Sequence, residues 1–329
     1  MTNSLYRILL VGAGQLGSRY LQGLSKTSKK FQIFVVDPNP DALSLARRLF
    51  DQMPVNPNVQ SVICHQDITE LEDEFDLAIM ATNADVRRQV TEELLEKIQV
   101  RYLILEKVVF QSVKDFEEII QLLKGKKIMA WVNCTRRMYP LFRSLKTELE
   151  SESRIQLNVE GGNLGLASNA IHMLDLFAFL TGETQLAIDA SGLDEKVYKS
   201  KRNGFIEFGG VLKAKNIRGD KLTLIDEKDS TVKVVQNVIS ENYRYKIHQS
   251  DGKVFSAHRK DGWEEKEELF HMPLQSEITA KLAEQILDFG NSDLTTLDES
   301  YQLHRPMLDA FNAHLSSILK EPITVCPIT

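Results

Sequence analysis

The stretch Arg7-Ile8-Leu9-Leu10-Val11-Gly12-Ala13-Gly14-Gln15-Leu16-Gly17-Ser18-Arg19 decides how this chain is read. It is an apolar run, a glycine turn and the opening of a helix. The glycines fit G-x-G-x-x-G, and the pattern has a steric logic. Gly12 permits the tight turn out of the strand, Gly14 lets a pyrophosphate approach the backbone, and Gly17 lets helix and strand pack closely. The helix beginning at Gln15 and Leu16 turns its free N–H groups and positive dipole end toward the phosphates.

A glycine turn of this kind can also bind nothing, so the surroundings decide. The next apolar run, Phe31 to Val36, ends on Asp37, 25 residues after Gly12. A carboxylate at about that separation accepts hydrogen bonds from an adenosine ribose. Strand, turn, helix, strand and acid are all present, which favours a dinucleotide site. The carboxylate of Asp37 would repel a 2′-phosphate, so NAD is expected ahead of NADP. Arg47 is the nearby base that keeps NADP as the alternative.

Length and composition bound the rest. A chain of 329 residues is long enough for two domains. Its formal net charge of −6 argues against a nucleic-acid partner, which calls for a basic surplus. Cys64, Cys134 and Cys326 are odd in number and lack metal-ligand spacing, so no metal site is expected and a reduced compartment fits best. No secretory leader is read before the first strand and no apolar run is long enough for a bilayer, so a cytoplasmic protein without a membrane partner is expected.

Strands alternate with helices as far as Trp131. Strands are expected at Val62 to Cys64, Asp76 to Thr82, Tyr102 to Leu105 and Ile128 to Val132, separated by amphipathic helices. That rhythm predicts a doubly wound parallel sheet over residues 1–132. From 133 to 329 the rhythm changes. One helix is expected from about Asn169 to Leu180, then a strand-rich stretch that includes Thr231 to Val235, then two helices at about Ser276 to Phe289 and Leu297 to Leu319. This is an α+β domain with a mixed or antiparallel sheet, its last helix expected to return to the first domain. The acidic run Glu264 to Glu268 reads as solvated surface.

Ligands of an open parallel sheet bind beyond the carboxyl ends of its strands. That points to Thr82-Asn83 and Glu106-Lys107 beside the glycine loop. A lysine at a buried strand's end is either a surface cap or a site residue. In the second domain His172 and Asp175 are three apart on a helix and so are neighbours on its surface. The pair is a candidate proton carrier, against the plainer reading of a structural histidine. Arg136 and Arg137 suit an anionic group or boundary salt bridges.

The chain resembles the glucose–fructose oxidoreductase, inositol dehydrogenase and rhizopine-catabolism family (Gfo/Idh/MocA). The resemblance rests on Gly12-x-Gly14-x-x-Gly17, Glu106-Lys107, Arg136-Arg137-Met138-Tyr139-Pro140, His172-x-x-Asp175 and the carboxy-terminal Leu297-Asp298-Glu299-Ser300. It implies an NAD(P)-dependent oxidoreductase acting on a sugar or charged sugar derivative, and a homodimer or homotetramer formed through the second sheet. Lys107 would contact substrate and nicotinamide, His172 would act as general acid and base with Asp175 beside it, and Glu106 would join the cofactor residues. Arg136, Arg137, Tyr139, Ser168 and Asn169 would face a small-molecule substrate. The family's proline after Glu-Lys is Val108 here, and its aspartate four residues before the histidine is Ser168. An imine or amino-acid reductase and a non-catalytic dinucleotide-binding regulator are the alternatives.

Overall fold

The computed structural model describes residues 4–71 and 74–329. The first elements alternate: β1 (Leu5–Val11), α1 (Gln15–Leu24), β2 (Lys30–Val36), α2 (Pro40–Asp51), β3 (Val59–His65), β4 (Glu74–Met80), α3 (Ala84–Lys97), β5 (Gln99–Leu105), α4 (Val113–Lys126) and β6 (Met129–Val132). All five pairings among these six strands are parallel, in the order β6-β5-β4-β1-β2-β3. The chain runs outward from β1 to β3, then restarts at β4 on the other side of β1. That reversal between β1 and β4 makes the switch point of the sheet. Ile8 to Leu10, Leu77 to Met80 and Leu103 to Leu105 are almost fully buried, as strands covered on both faces must be.

The next segment is α5 (Pro140–Leu149), β7 (Gln156–Gly162), α6 (Leu166–Thr181), β8 (Leu186–Leu193), the short β9 (Tyr198–Lys199) and β10 (Ile206–Glu207), β11 (Gly210–Asn216), β12 (Lys221–Glu227), β13 (Val235–Ile239), β14 (Tyr243–His248), β15 (Lys253–His258) and β16 (Glu265–Leu269). Eight strands form one mixed sheet in the order β16-β15-β14-β13-β7-β12-β11-β8. The central β7 is parallel to β12 and antiparallel to β13. Leu157 and Val159, Leu222 and Leu224, and Val238 bury the alternate positions of the central strands.

Two expectations shift here. The strand expected at 231–235 lies at Val235–Ile239 instead. The residues before it cross over two glycines: a Cβ on Gly161 would stand 2.6 Å from Val234 Cα, and one on Gly162 would stand 2.2 Å from Ser230 O. The segment stays close to the end of β7, where the Gly162 N–H donates to the Val232 carbonyl at 2.8 Å, outside the regular ladder. The acidic run at 264–268 remains exposed but forms the edge strand β16. Its charges discourage another edge from pairing there.

α6 begins at Leu166, earlier than its apolar periodicity indicates. Distant carboxylates complete its first turn. Asp226 accepts from the N–H groups of Leu164 (2.9 Å) and Gly165 (2.8 Å), and Glu207 from that of Ala167 (2.9 Å). The helix stops at Gly182, whose φ of +76° suits glycine.

The chain ends with α7 (Gln275–Phe289), β17 (Thr295–Thr296) and α8 (Leu297–Leu319). Two compact units result. The first runs through Phe110 and adds Asp115–Asn133 and Pro273–Leu297; the second holds Gln111–Lys114, Cys134–Met272 and Asp298–Thr329. A single cut near residue 132 does not anticipate the return of 273–297. It is α7 that returns to the first unit, whereas α8 beyond Leu297 stays in the second. The reason is shape: α7 packs on α1 at Gly23, where a Cβ would lie 2.6 Å from Thr279 Cβ and 3.2 Å from Ser276 Cα. Gly23→Ala is therefore expected to destabilise the protein by about 1–3 kcal/mol through overpacking. Gly125→Ala, with no atom within 4 Å of the added Cβ, is expected to gain about 0.5–1 kcal/mol. Urea denaturation of the two variants beside the wild type checks both signs.

Candidate active site

In the first unit the three motif glycines serve different ends. Gly12 has φ +99°, and a Cβ there would meet Ala81 C at 2.9 Å and Thr82 N at 3.0 Å. A Cβ on Gly17 would lie 1.9 Å from Gly12 O. The fold itself demands both. Gly14 differs: its φ is −62°, it is exposed, and no protein atom lies within 4 Å of an added Cβ. The protein has no use of its own for a bare backbone at that point, but a pyrophosphate drawn up to it would. α1 begins there with no side-chain cap and no acid in its first turn, and Gln15 and Leu16 are its first residues.

Asp37 braces the same loop. Its Oδ2 accepts from the Ala13 N–H at 2.7 Å and its Oδ1 from the Asn39 N–H at 2.9 Å. A carboxylate has about four acceptor positions, so capacity for ribose hydroxyls remains. Arg47 is turned elsewhere, bonded to Asp51 at 2.9 Å and to the Val62 carbonyl at 3.0 Å. At the end of β4 the Thr82 hydroxyl is buried with no partner among the described residues. Asn83 is exposed and precedes α3 without capping it. An open cradle at Gly14, an uncapped helix start, a braced acid and an orphaned hydroxyl together fit a dinucleotide.

Glu106 lies just past the end of β5. It is 3% exposed. Its carboxylate accepts from the Tyr20 hydroxyl, from Asn133 Nδ2 at 2.6 Å and from the Lys107 N–H at 3.3 Å. Asn133 donates onward to Gln275 Oε1 at 2.9 Å. The residue is an internal brace joining α1, β5, β6 and α7. No sequence pattern announces Tyr20 as its partner, or Gln275 as the partner of Asn133. Lys107 follows, half-buried, with a cis peptide to Val108.

In the second unit the structure brings two candidates together. Arg137 grips Asp175 with two bonds, Nε to Oδ2 at 3.0 Å and an Nη to Oδ1 at 2.7 Å, and reaches Glu299 at 3.1 Å. Asp175 is fully buried and Arg137 is 7% exposed. Burial opposes the arginine's charge, but Asp175 and Glu299 outweigh it and hold the guanidinium above its usual value. Arg137 and Asp175 thus form a buried pair within the second unit. They fix α6, the helix that carries His172 half-buried one turn away.

Arg136 has the opposite lot. Burial pushes its guanidinium below the ordinary value. Its bond is to a neutral amide, Gln249 Oε1 at 2.9 Å, and no carboxylate among the described residues pairs with it. Gln249 Oε1 also accepts from Gln236 Nε2 at 3.0 Å. Tyr139 is buried with its hydroxyl 3.0 Å from Thr135 Oγ1, so it serves the fold. Ser168 and Asn169 stand half-buried on the first turn of α6; their side chains reach back to the Gly165 and Leu164 carbonyls.

A parallel sheet with this loop at its switch point is the architecture of an NAD-binding Rossmann domain. Residues 6–134 match the family model GFO_IDH_MocA, described as an oxidoreductase family with an NAD-binding Rossmann fold. No curated protein matches the sequence significantly. Among solved structures, an oxidoreductase from Agrobacterium radiobacter in complex with NAD+, L-tartaric acid and magnesium has a TM-score of 0.69 at 13% identity, covering 95% of this chain and 97% of that one. A Gfo/Idh/MocA family oxidoreductase from Vibrio cholerae has a TM-score of 0.69 at 15% identity, covering 96% and 100%. The UDP-N-acetylglucosamine 3-dehydrogenase of Acidithiobacillus ferrooxidans has a TM-score of 0.64 at 12% identity, covering 98% of each chain. At such identities the likeness is one of fold.

Two outcomes follow from this geometry. Gly14→Val is expected to melt like the wild type and to lose measurable NADH binding; retained affinity in a fluorescence titration would refute the cradle. Asp175→Asn is expected to destabilise the protein by about 3–5 kcal/mol, because it leaves the buried guanidinium of Arg137 with the less buried Glu299 as its carboxylate partner. The urea midpoint reads this directly, and a loss under 1 kcal/mol (roughly the worth of an exposed pair) would contradict it.

Proposed function

We propose that this chain is an NAD-dependent dehydrogenase or reductase acting on a carbinol or ketone of a sugar derivative that carries an anionic group. The observation carrying the charged substrate is the contrast between neighbouring arginines. Arg137 is neutralised by Asp175 and Glu299, whereas Arg136 is partly buried beside neutral amides. A buried cation without a counter-ion is costly, and a substrate carboxylate or phosphate would relieve it. The neighbour named for UDP-N-acetylglucosamine and the one in complex with tartaric acid are consistent with a charged ligand.

In this reading the backbone at Gly12, Gly14, Gln15, Leu16 and Gly17 holds the pyrophosphate, and Asp37 holds the adenosine ribose. Thr82 and Asn83 add polar contacts at the end of β4. The bound nicotinamide supplies the hydride acceptor or donor. Lys107 orients and polarises the substrate oxygen, and His172 takes or returns its hydroxyl proton, a task an imidazole nitrogen can perform. Ser168 and Asn169 offer hydrogen bonds to substrate hydroxyls without adding negative charge. Arg137 and Asp175 act through α6 by fixing where His172 stands. Assembly through the eight-stranded sheet into a homodimer or homotetramer, and a cytoplasmic location, complete the proposal.

The test is oxidation of NADH with three panels: keto-sugars bearing carboxylate or phosphate, neutral keto-sugars, and imines. Turnover is expected in the first panel, with Arg136→Ala raising KM more than it lowers kcat. His172→Ala is expected to lower turnover by about 10²–10⁴-fold while NADH affinity is retained. Preference for imines would replace the carbinol reading, and tight NADH binding without turnover in any panel would favour a regulator.

A further inference from the structure

Arg87, on the first turn of α3, is 1% exposed. A guanidinium keeps its charge in a protein, so its burial is tolerated only when its donors are matched. Its fork meets three backbone carbonyls: those of Thr82, Val108 and Val109, the last at 2.7 Å. Thr82 stands just past β4, and Val108 and Val109 stand just past β5. β4 and β5 are neighbours in the sheet. One side chain thus ties together the two segments that leave adjacent strands at the switch-point end.

The need for such a tie is physical. After Leu105 the chain leaves the ladder, so the carbonyls that follow lose their strand partners. Val108, Val109 and Phe110 are fully buried, which keeps water from serving those carbonyls. Arg87 serves two of them. On the other side, the Lys107 N–H donates to Glu106 Oε2 at 3.3 Å. Lys107 therefore stands between two pinned points. A planar fork with five donors can span both segments; a lysine ammonium cannot.

We infer that Arg87 is a positioning residue that sets the backbone presenting Lys107 and Thr82, and so governs the part of the cofactor site that Lys107 serves. The adenosine part is left to the glycine loop and Asp37. The inference rests on the proposed role of Lys107 toward nicotinamide. It gives Arg87 no contact with substrate or cofactor.

The experiment compares wild type, Arg87→Lys, Arg87→Gln, Lys107→Met and the Arg87→Lys/Lys107→Met pair. Amide hydrogen exchange is followed across 106–112, and dissociation constants are measured for NADH and for ADP-ribose, which lacks nicotinamide. In Arg87→Lys, exchange across 106–112 is expected to quicken roughly tenfold. NADH is expected to weaken about fivefold, the scale of one misplaced hydrogen bond, with ADP-ribose within about twofold. Lys107→Met is expected to weaken NADH with wild-type exchange, and Arg87→Lys to add less than about a further twofold in the pair. Arg87→Gln reports the same quantities should Arg87→Lys not fold. Unchanged exchange across 106–112, or ADP-ribose weakened as much as NADH, overturns the inference. Unaltered NADH affinity in Lys107→Met overturns the role of Lys107 and the dependent part of the inference; the exchange rates, which report Arg87 alone, tell the two failures apart.

Discussion

The first unit depends on one close approach of backbone to backbone. α1 starts so near the glycine turn that a Cβ at Gly17 would lie 1.9 Å from Gly12 O, far inside van der Waals contact. Gly12 in turn lies against the end of β4, in a conformation with positive φ. No other residue type satisfies both demands at no steric cost. The approach sets the helix start at the carboxyl ends of β1 and β4 together. It also sets the depth at which the rest of α1 lies, so that Tyr20 reaches Glu106 and Gly23 meets α7. Loosening this contact would disturb the cradle, the buried carboxylate and the returning helix at once.

Buried charge is the second organising theme, and each unit handles it by matching donors to acceptors. Glu106 receives a hydroxyl, an amide and a backbone N–H. Arg87 gives its fork to backbone carbonyls, and Arg137 gives its fork to Asp175. Such groups add less net stability than apolar residues of similar size might, but removing one partner is costly. Arg136 falls outside the pattern, next in sequence to the best-matched cation of the unit. That departure is why it, and not Arg137, carries the proposal of an anionic substrate.

Much of the fold could be read from residues alone. The strands from β1 to β6 are short, apolar and punctuated by helices, and a strand buried on both faces leaves little else for such runs to be. The second sheet was harder. β8 is Leu186–Leu193, whose exposed and half-exposed positions include Ala187, Asp189, Ser191 and Gly192, so no alternation of apolar residues marks it. β16 is exposed throughout and owes its strand form to pairing with β15. β13 begins only at Val235, because 230–234 lies close against Gly161 and Gly162 outside the regular ladder. For the site, the glycines and Asp37 were legible because their spacing is local. Glu106, Arg137 and Asp175 were recognised as special, yet their partners lie 27, 38 and 86 residues away and left no trace in spacing.

By itself the sequence determined the nucleotide-binding architecture and the acid beside it, since a turn, a helix start and a strand end are properties of neighbouring residues. Only the tertiary structure decided which charged side chains meet one another. It also decided that α7 joins the first compact unit and that the chain from Asp298 onward joins the second. Those outcomes depend on which groups meet after the chain has turned back on itself. Distance along the chain carries no information about such meetings.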